Sequence, residues 1–224
     1  MSVAVVLVAG GQGTRLGAAQ PKAFVPLAGV TVLEHAVTRA LRAPEVTHVI
    51  VVAPVSHIGE AGAIASRSGR PRDVDVVTGG AERTDSVAAG LAALRPTDEV
   101  VLVHDAARAL APPSLFSRLV REVRAGHDAV VPGLPVADTI KQVDAAGRVV
   151  GTPDRSALRA IQTPQAFRRT VLEQAHASGA AATDDAALVE REGGTVHVVE
   201  GDRLAFKITT PDDLAVAERH LADL

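Results

Sequence analysis

The chain has no cysteine, no tryptophan and no tyrosine, and its aromatic content is confined to Phe24, Phe116, Phe167 and Phe206. Without cysteine, neither a disulfide framework nor thiolate chemistry is available, and the absence fits a cytoplasmic protein. Single-stranded nucleic-acid binders stack bases on aromatic platforms, so so few rings argue against that class. A nucleobase bound here would be read by backbone and small polar groups. Net charge is only −3 and no long basic run occurs, so the basic stripe of a nucleic-acid binder is missing. No run of about 18 apolar residues is present, which predicts no membrane span. No cationic stretch leads into an apolar one at the start, which predicts no signal peptide. No partner of either kind, nucleic acid or membrane, is expected.

Apolar residues make up 47% of the 224 positions, enough for a large core in one α/β domain or two small ones. Val3–Val8, Val46–Val52, Val74–Val77, Val100–His104 and Ala129–Val131 read as short buried strands. Helical patterns lie between them: Thr31–Ala43, with Thr31 and Glu34 in capping-box spacing, then runs through Val87, Leu91 and Leu94 and through Leu115–Val123. Such alternation predicts βαβ units and a mostly parallel sheet. Ligands of these sheets sit beyond the carboxyl ends of the strands. The loops to search are therefore Gly10–Lys22, Gly79–Ser86 and His104–Ala109.

The rhythm breaks after Pro132. Residues 134–150 read as a hairpin around Asp144 to Gly147, an arm projecting from the sheet. An exposed arm packs on something, most simply a second copy of the chain. Thr170 with Glu173 repeats the capping-box spacing, Thr183 opens a helix with Asp184 and Asp185 in its first turn, and Thr210-Pro211 starts the last helix with proline at its first position. Val196–Val199 and Leu204–Ile208 read as late strands. With no repeat and no linker, residues 1–224 form one domain with an inserted arm of about 134–160.

The first loop carries most of the chemistry. After the buried strand come Gly10, Gly11, Gly13 and Gly17, flanked by Arg15 and Lys22. Glycines let backbone N–H groups approach a ligand closely, and such groups make an anion-binding concavity. The pattern suits a triphosphate with two cations aimed at it. The spacing Gly11, Gly13, Gly17 is not the G-x-G-x-x-G of a dinucleotide fold, and no G-x-x-x-x-G-K-[ST] is present. In the second loop Arg83, Asp85 and Ser86 stand at the ligand edge; the alternative is that Thr84 or Asp85 merely caps a helix and Arg83 is solvated. In the third, Asp105 is placed to hold a ribose hydroxyl or a Mg²⁺ ion, or else to cap the next turn. His104 reads as a core histidine, and no two histidines have zinc-ligand spacing. Lys207 sits between apolar neighbours and needs an anion, either a substrate phosphate or a carboxylate.

An ordered set of motifs runs nearly the length of the chain: A-G-G-x-G-T-R-L-G…P-K (Ala9–Lys22), G-G-x-x-R-x-D-S-V (Gly79–Val87), V-H-D-A-A-R (Val103–Arg108), D-T-I-K (Asp138–Lys141), D-R-x-x-L (Asp154–Leu158), Q-T-P-Q-x-F (Gln162–Phe167), T-D-D (Thr183–Asp185) and F-K-I-T-x-P-x-D-L (Phe206–Leu214). The first motif is shared by many sugar nucleotidyltransferases. The whole set resembles the 2-C-methyl-D-erythritol 4-phosphate cytidylyltransferases of non-mevalonate isoprenoid biosynthesis. The resemblance implies a single Rossmann-like nucleotidyltransferase domain, CTP and a polyol phosphate as substrates, Mg²⁺ as cofactor and a homodimer formed through the arm. It implies Arg15, Lys22, Arg155 and Lys207 as catalytic, the first two at the α-phosphate of CTP and the last two on the acceptor phosphate. Ala9, Gly10, Gly11, Gly79, Gly80 and Ser86 would surround the cytidine, with Gly13, Arg83, Asp105 and Ala106 completing the CTP site. Asp105, Arg108, Thr139 and Thr183 would line the acceptor, Thr139 and Arg155 reaching across the dimer. The chain departs from the family at Ala81, often Asp, at Ala109, usually Pro, and at Arg159, commonly Trp. Alternatives are a ribitol 5-phosphate cytidylyltransferase, a sugar-1-phosphate nucleotidyltransferase, a non-catalytic nucleotide-binding module and, more remotely, an NAD-dependent oxidoreductase.

Overall fold

The computed structural model describes residues 2–11, 13, 16–17, 20–179 and 182–222. Strand β1 (Ser2–Val8) opens the chain and is followed by a short hairpin of β2 (Pro26–Leu27) and β3 (Val30–Thr31), helix α1 (Val32–Arg42) and β4 (His48–Ala53). Then come α2 (Ile58–Ser66), β5 (Val74–Thr78), α3 (Arg83–Ala92), β6 (Asp98–Asp105), α4 (Pro113–Arg124) and β7 (Ala129–Pro135). The second half holds β8 (Gln142–Val143), β9 (Val149–Gly151), β10 (Arg159–Ile161), β11 (Gln165–Arg168), α5 (Arg169–Ala177), α6 (Asp185–Arg191), β12 (Val196–Glu200) and α7 (Pro211–Ala222).

The main sheet runs β5-β4-β1-β6-β11-β7, with β10 and β12 also paired to β7. Strands β5, β4, β1 and β6 are parallel neighbours. Strand β11 is antiparallel to both β6 and β7, so β7 and its parallel partner β12 point the same way as β6. The expected α/β architecture is present. Nearly all strands deliver their carboxyl ends to one edge, and only the β10–β11 segment, which contains the cis Thr163-Pro164 bond, runs against them.

Residue alternation along β1 explains the layering. Val3, Val5 and Leu7 face one cluster with Leu33, Val37, Phe116 and Leu119 from α1 and α4. Val6 faces the other, with Val87 and Leu91 from α3 and Leu172 and Val189 from α5 and α6. A strand buried on both sides is the parallel-sheet pattern. A third cluster packs Leu27, Leu110, Ile208 and Ala217 together, so the C-terminal helix lies beside the hairpin after the glycine loop. At the opposite, amino edge of the sheet, buried His48 places Nδ1 2.8 Å from Asp98 Oδ2 and Nε2 2.8 Å from Asp75 Oδ2.

Thr31 caps α1 by accepting the Glu34 N–H, as its spacing predicts. Several boundaries differ from expectation. Residues 204–208 are not a strand: Arg203–Ala205 is a 3-10 turn and the chain then runs irregularly through Lys207 to α7. No sheet neighbour is offered there, so its apolar side chains pack on the third cluster instead. Helix α5 begins at Arg169 with Arg168 at its cap, and Glu173 pairs with Arg169 rather than closing a box with Thr170. Helix α6 is capped by Asp184, not Thr183, because the Asp184 carboxylate accepts the Ala187 N–H. Leu94 falls beyond α3, and β4 begins at His48 rather than Val46. The hairpin is real but short, β8 against β9, with Asp144 accepting the Ala146 and Arg148 N–H groups at its tip.

Candidate functional site

Three loops converge at the carboxyl edge. In the first, Ala9 N–H donates to Val52 O, which holds the exit of β1 against β4. Gly13 takes φ +70°, and a Cβ there would lie 3.1 Å from the Lys22 backbone nitrogen. Lys22 N–H donates to Gly11 O. A Cβ on Gly11 would come within 2.7 Å of Lys22 Cε. The glycines thus make room for the lysine as well as for a ligand. Arg15 lies outside the described residues. In the second loop, Gly79 N–H donates to Ala53 O, and Glu82 caps α3 in a reciprocal box with Asp85. Buried Ser86 donates to Glu82 O, and Gly79 leaves space for its hydroxyl. Asp85 therefore does the capping work that the plain alternative assigned to it, but Arg83 is not simply solvated.

These loops line an open cleft of about 170 Å³. Of the nucleotide contacts expected from sequence, Gly10, Gly11, Gly80, Arg83, Ser86 and Asp105 line it, together with Lys22 and Lys207. Ala81, Glu82 and Ala107 also line it, which the sequence reading did not single out as contacts. Ala9 and Ala106 are buried, and they, Gly13 and Gly79 are not on the lining.

Asp105, the last residue of β6, is the centre of charge. Its Oδ2 accepts from Lys207 Nζ at 2.6 Å, and its Oδ1 faces Arg83 Nε at 3.4 Å. Burial alone would raise its pKa; Arg83, Lys207 and Arg108 outweigh that and hold the carboxyl well below the usual range. The Arg83 guanidinium is opposed by burial but is held above its ordinary value by Asp185 and Asp105. Asp105 is thus a fixed anion between cations, not a turn cap.

A second cleft of about 210 Å³ shares Arg83, Asp105 and Lys207 with the first. Arg108, Gln162, Thr163, Gln165, Thr183 and Asp184 complete its polar lining. Arg108 Nη1 donates to Ala205 O at 2.7 Å, and burial lowers its pKa. His104 is buried: Nδ1 lies 3.0 Å from Thr163 Oγ1, which also accepts the Asp105 N–H, while Nε2 finds no hydrogen-bond partner among the described residues. Burial pushes its pKa down to about 3, so the ring is neutral.

Thr139 and Arg155 are exposed on or beside the arm and line neither cleft. Arg155 donates to Ala137 O. Arg159, exposed on β10, donates to Ser156 O and Leu158 O, and Ala109 is buried. Ile140, Val143, Val149 and Val150 leave an apolar surface on the same arm.

Among the described residues no three His, Cys, Asp or Glu side chains converge as a metal cage. Mg²⁺ commonly uses one or two carboxylates plus substrate phosphates. Asp105 lines this cleft, but its Oδ2 already takes Lys207 and its Oδ1 faces Arg83, so the oxygens of a triphosphate would supply most of the ion's ligands.

The family described as "IspD: 2-C-methyl-D-erythritol 4-phosphate cytidylyltransferase" matches residues 3–223. A 2-C-methyl-D-erythritol 4-phosphate cytidylyltransferase of Nocardia farcinica is 56% identical over 97% of this chain and 93% of its own length. Among solved structures, that of a 4-diphosphocytidyl-2C-methyl-D-erythritol synthase from Anaerococcus prevotii superposes with a TM-score of 0.87 at 29% identity, covering 99% of this chain and 98% of its own. The Thermus thermophilus 2-C-methyl-D-erythritol 4-phosphate cytidylyltransferase is similar with a TM-score of 0.78 at 36% identity, over 100% of both chains.

Proposed function

We propose, given that the chain belongs to the 2-C-methyl-D-erythritol 4-phosphate cytidylyltransferase family, that CTP occupies the first cleft and the acceptor polyol phosphate the second. The enzyme transfers CMP from CTP to 2-C-methyl-D-erythritol 4-phosphate, giving 4-diphosphocytidyl-2-C-methyl-D-erythritol and pyrophosphate. One observation carries the assignment of the clefts: they meet along a wall of Arg83, Asp105 and Lys207, where two phosphates can be brought together.

A phosphate monoester has a second pKa of about 6 and is mostly a dianion at neutral pH. Its oxygen forms the new bond to the α-phosphorus as the bond to the pyrophosphate oxygen breaks, and no proton has to be removed. The neutral, buried His104 is therefore not needed as a base. The work left to the protein is to offset repulsion between two polyanions and to align them. Lys22 supports the charge that develops at the α-phosphate, and Arg15 from the same loop is assigned the same role. Lys207 and Arg108 hold the acceptor phosphate, with Asp105 fixing Lys207 and reaching toward the sugar hydroxyls. Mg²⁺, held chiefly by the triphosphate, would supply further charge neutralisation.

The arm's exposed valines support a homodimer, and a second copy is the means by which Thr139 and Arg155 would reach an acceptor cleft that their own chain does not offer them. Residues 134–160 are accordingly a dimerisation arm on one nucleotidyltransferase domain. No helix among the described residues is long and apolar enough to cross a membrane. Together with the absence of cysteine this supports a cytoplasmic enzyme.

The test is pyrophosphate release with CTP and Mg²⁺, with and without 2-C-methyl-D-erythritol 4-phosphate, and with ribitol 5-phosphate in parallel. Release only with the methylerythritol substrate is expected. Release with ribitol 5-phosphate instead would reassign the acceptor while keeping the chemistry.

A further inference from the structure

The ion pair between Arg83 and Asp105 is half of a longer chain of charges. Arg83 Nη2 lies 2.8 Å from Asp185 Oδ2, a close ion pair without the alignment of a hydrogen bond. The other oxygen of Asp185 meets His176 Nε2 at 2.9 Å. The Asp185 side chain is 1% exposed and that of His176 is 5% exposed. The series thus runs from α5 through α6 and α3 to the end of β6.

Arg83 and Asp185 stand where an opposite charge is needed to hold them. Arg83 is the first residue of α3, where the helix dipole disfavours a cation. Asp185 is a carboxylate inside the protein, where an unpaired charge is costly. A guanidinium is a rigid fork that can face two carboxylates at once, here with Nη2 toward Asp185 and Nε toward Asp105. Asp185 lines neither cleft, so contact with substrate does not account for it.

We propose that Asp185 is a positioning residue for the transfer reaction: acting through Arg83, it fixes Asp105 on the wall shared by the two clefts. The inference rests on the reading of those clefts as the CTP and acceptor sites. With Asp185 neutral, Arg83 has Asp105 as its remaining carboxylate and turns fully toward it, in competition with Lys207. The wall also gains one unit of positive charge. Polyanionic substrates then bind at least as well, but the alignment that Asp105 and Lys207 give them is lost. A purely structural Asp185 would instead lower thermal stability and leave the kinetics of the folded enzyme unchanged.

The experiment compares Asp185→Asn, Arg83→Gln and the double variant for kcat, for KM of each substrate and for melting temperature. Asp185→Asn is expected to lose about 10- to 100-fold in kcat, the scale of a small misplacement, with no rise in the acceptor KM. Asp185→Glu, which keeps the charge, restores part of the loss. The double variant is no slower than Arg83→Gln alone, because the effect passes through Arg83. Wild-type kcat in Asp185→Asn, or losses that multiply in the double variant, would overturn the proposal. Should Asp185→Asn fail to fold, Arg83→Lys decides: it keeps the charge at a partly exposed position, but a single ammonium cannot span both carboxylates. A similar kcat loss is expected there, and full activity would overturn the proposal. The Arg83 Nε–H resonance in NMR reads the relay without turnover: its chemical shift moves in Asp185→Asn as the guanidinium turns toward Asp105. A chemical shift unchanged by the substitution overturns the relay, whereas absence of wild-type turnover overturns the reading of the clefts.

Discussion

Lys207 Nζ sits 2.6 Å from Asp105 Oδ2 across 102 residues of sequence. Ile208 N–H donates to Ala107 O at 2.8 Å and fastens the same two segments a residue later. The segment before the last helix is thereby clamped onto the loop after β6, and the common wall of the two clefts is made by residues from distant parts of the chain.

Lys22→Ala is expected to fold normally and lose about 10²- to 10³-fold in kcat, the usual effect of removing one electrostatic stabiliser of a transition state. Steady-state pyrophosphate release, with a melting curve as control, measures it. Near wild-type turnover would remove Lys22 from the reaction.

Two glycine substitutions separate site from core. In Gly11→Ala the new methyl meets only the flexible end of Lys22, so the lysine moves and kcat falls while the melting temperature holds. In Gly90→Ala the methyl drives into Val6 on β1, an overpacked core position that costs about 1–3 kcal/mol. Its kcat per folded molecule stays that of the wild type. Calorimetry and kinetics on both variants check the contrast.

Acid weakens the fold partly through His104. Its folded pKa is about 3, depressed chiefly by burial, against about 6.5 unfolded. Between those values the unfolded state binds more protons, so stability falls as pH drops through this window, by up to about 1.4 kcal/mol per pH unit from this group. Urea midpoints for wild type and His104→Gln between pH 7 and 5 should show a flatter dependence in the variant. Equal slopes would contradict it.

Replacing both Val149 and Val150 by aspartate is expected to convert a dimer to a monomer, because both side chains are more than half exposed on the arm. Sedimentation velocity gives the mass. Acceptor turnover should fall with dissociation, since Thr139 and Arg155 then have no second cleft to reach.

Local pattern made much of this molecule readable in its sequence. Val3–Val8, the Thr31 cap and the Thr210-Pro211 start all depend on side chains within a few residues, and all are found near their expected places. Strands β10 and β11 were not legible. Arg159–Ile161 is too short to show a period, and Gln165–Arg168 carries polar residues at both ends. Lys207 between apolar residues imitated a strand because its neighbours pack on a cluster outside the sheet. At the site, glycines and cations were visible from spacing, whereas Asp185 looked only like a first-turn acid. Its partner Arg83 is about 100 residues away and no local rule could pair them.

The position of β1 also sets the order in which the molecule can be completed. One side is filled by β4, in the register Ala4 to His48, but the other waits for β6, with Val3 opposite Val100 and Val8 opposite Asp105. Pairings this distant in sequence form slowly. A nascent chain therefore carries an apolar strand with one open edge until the middle of the protein has been synthesised, and such edges invite aggregation. The shared wall of the two clefts comes later still, because Lys207 emerges after every strand of the sheet. A complete pair of clefts is thus the last feature the growing chain acquires.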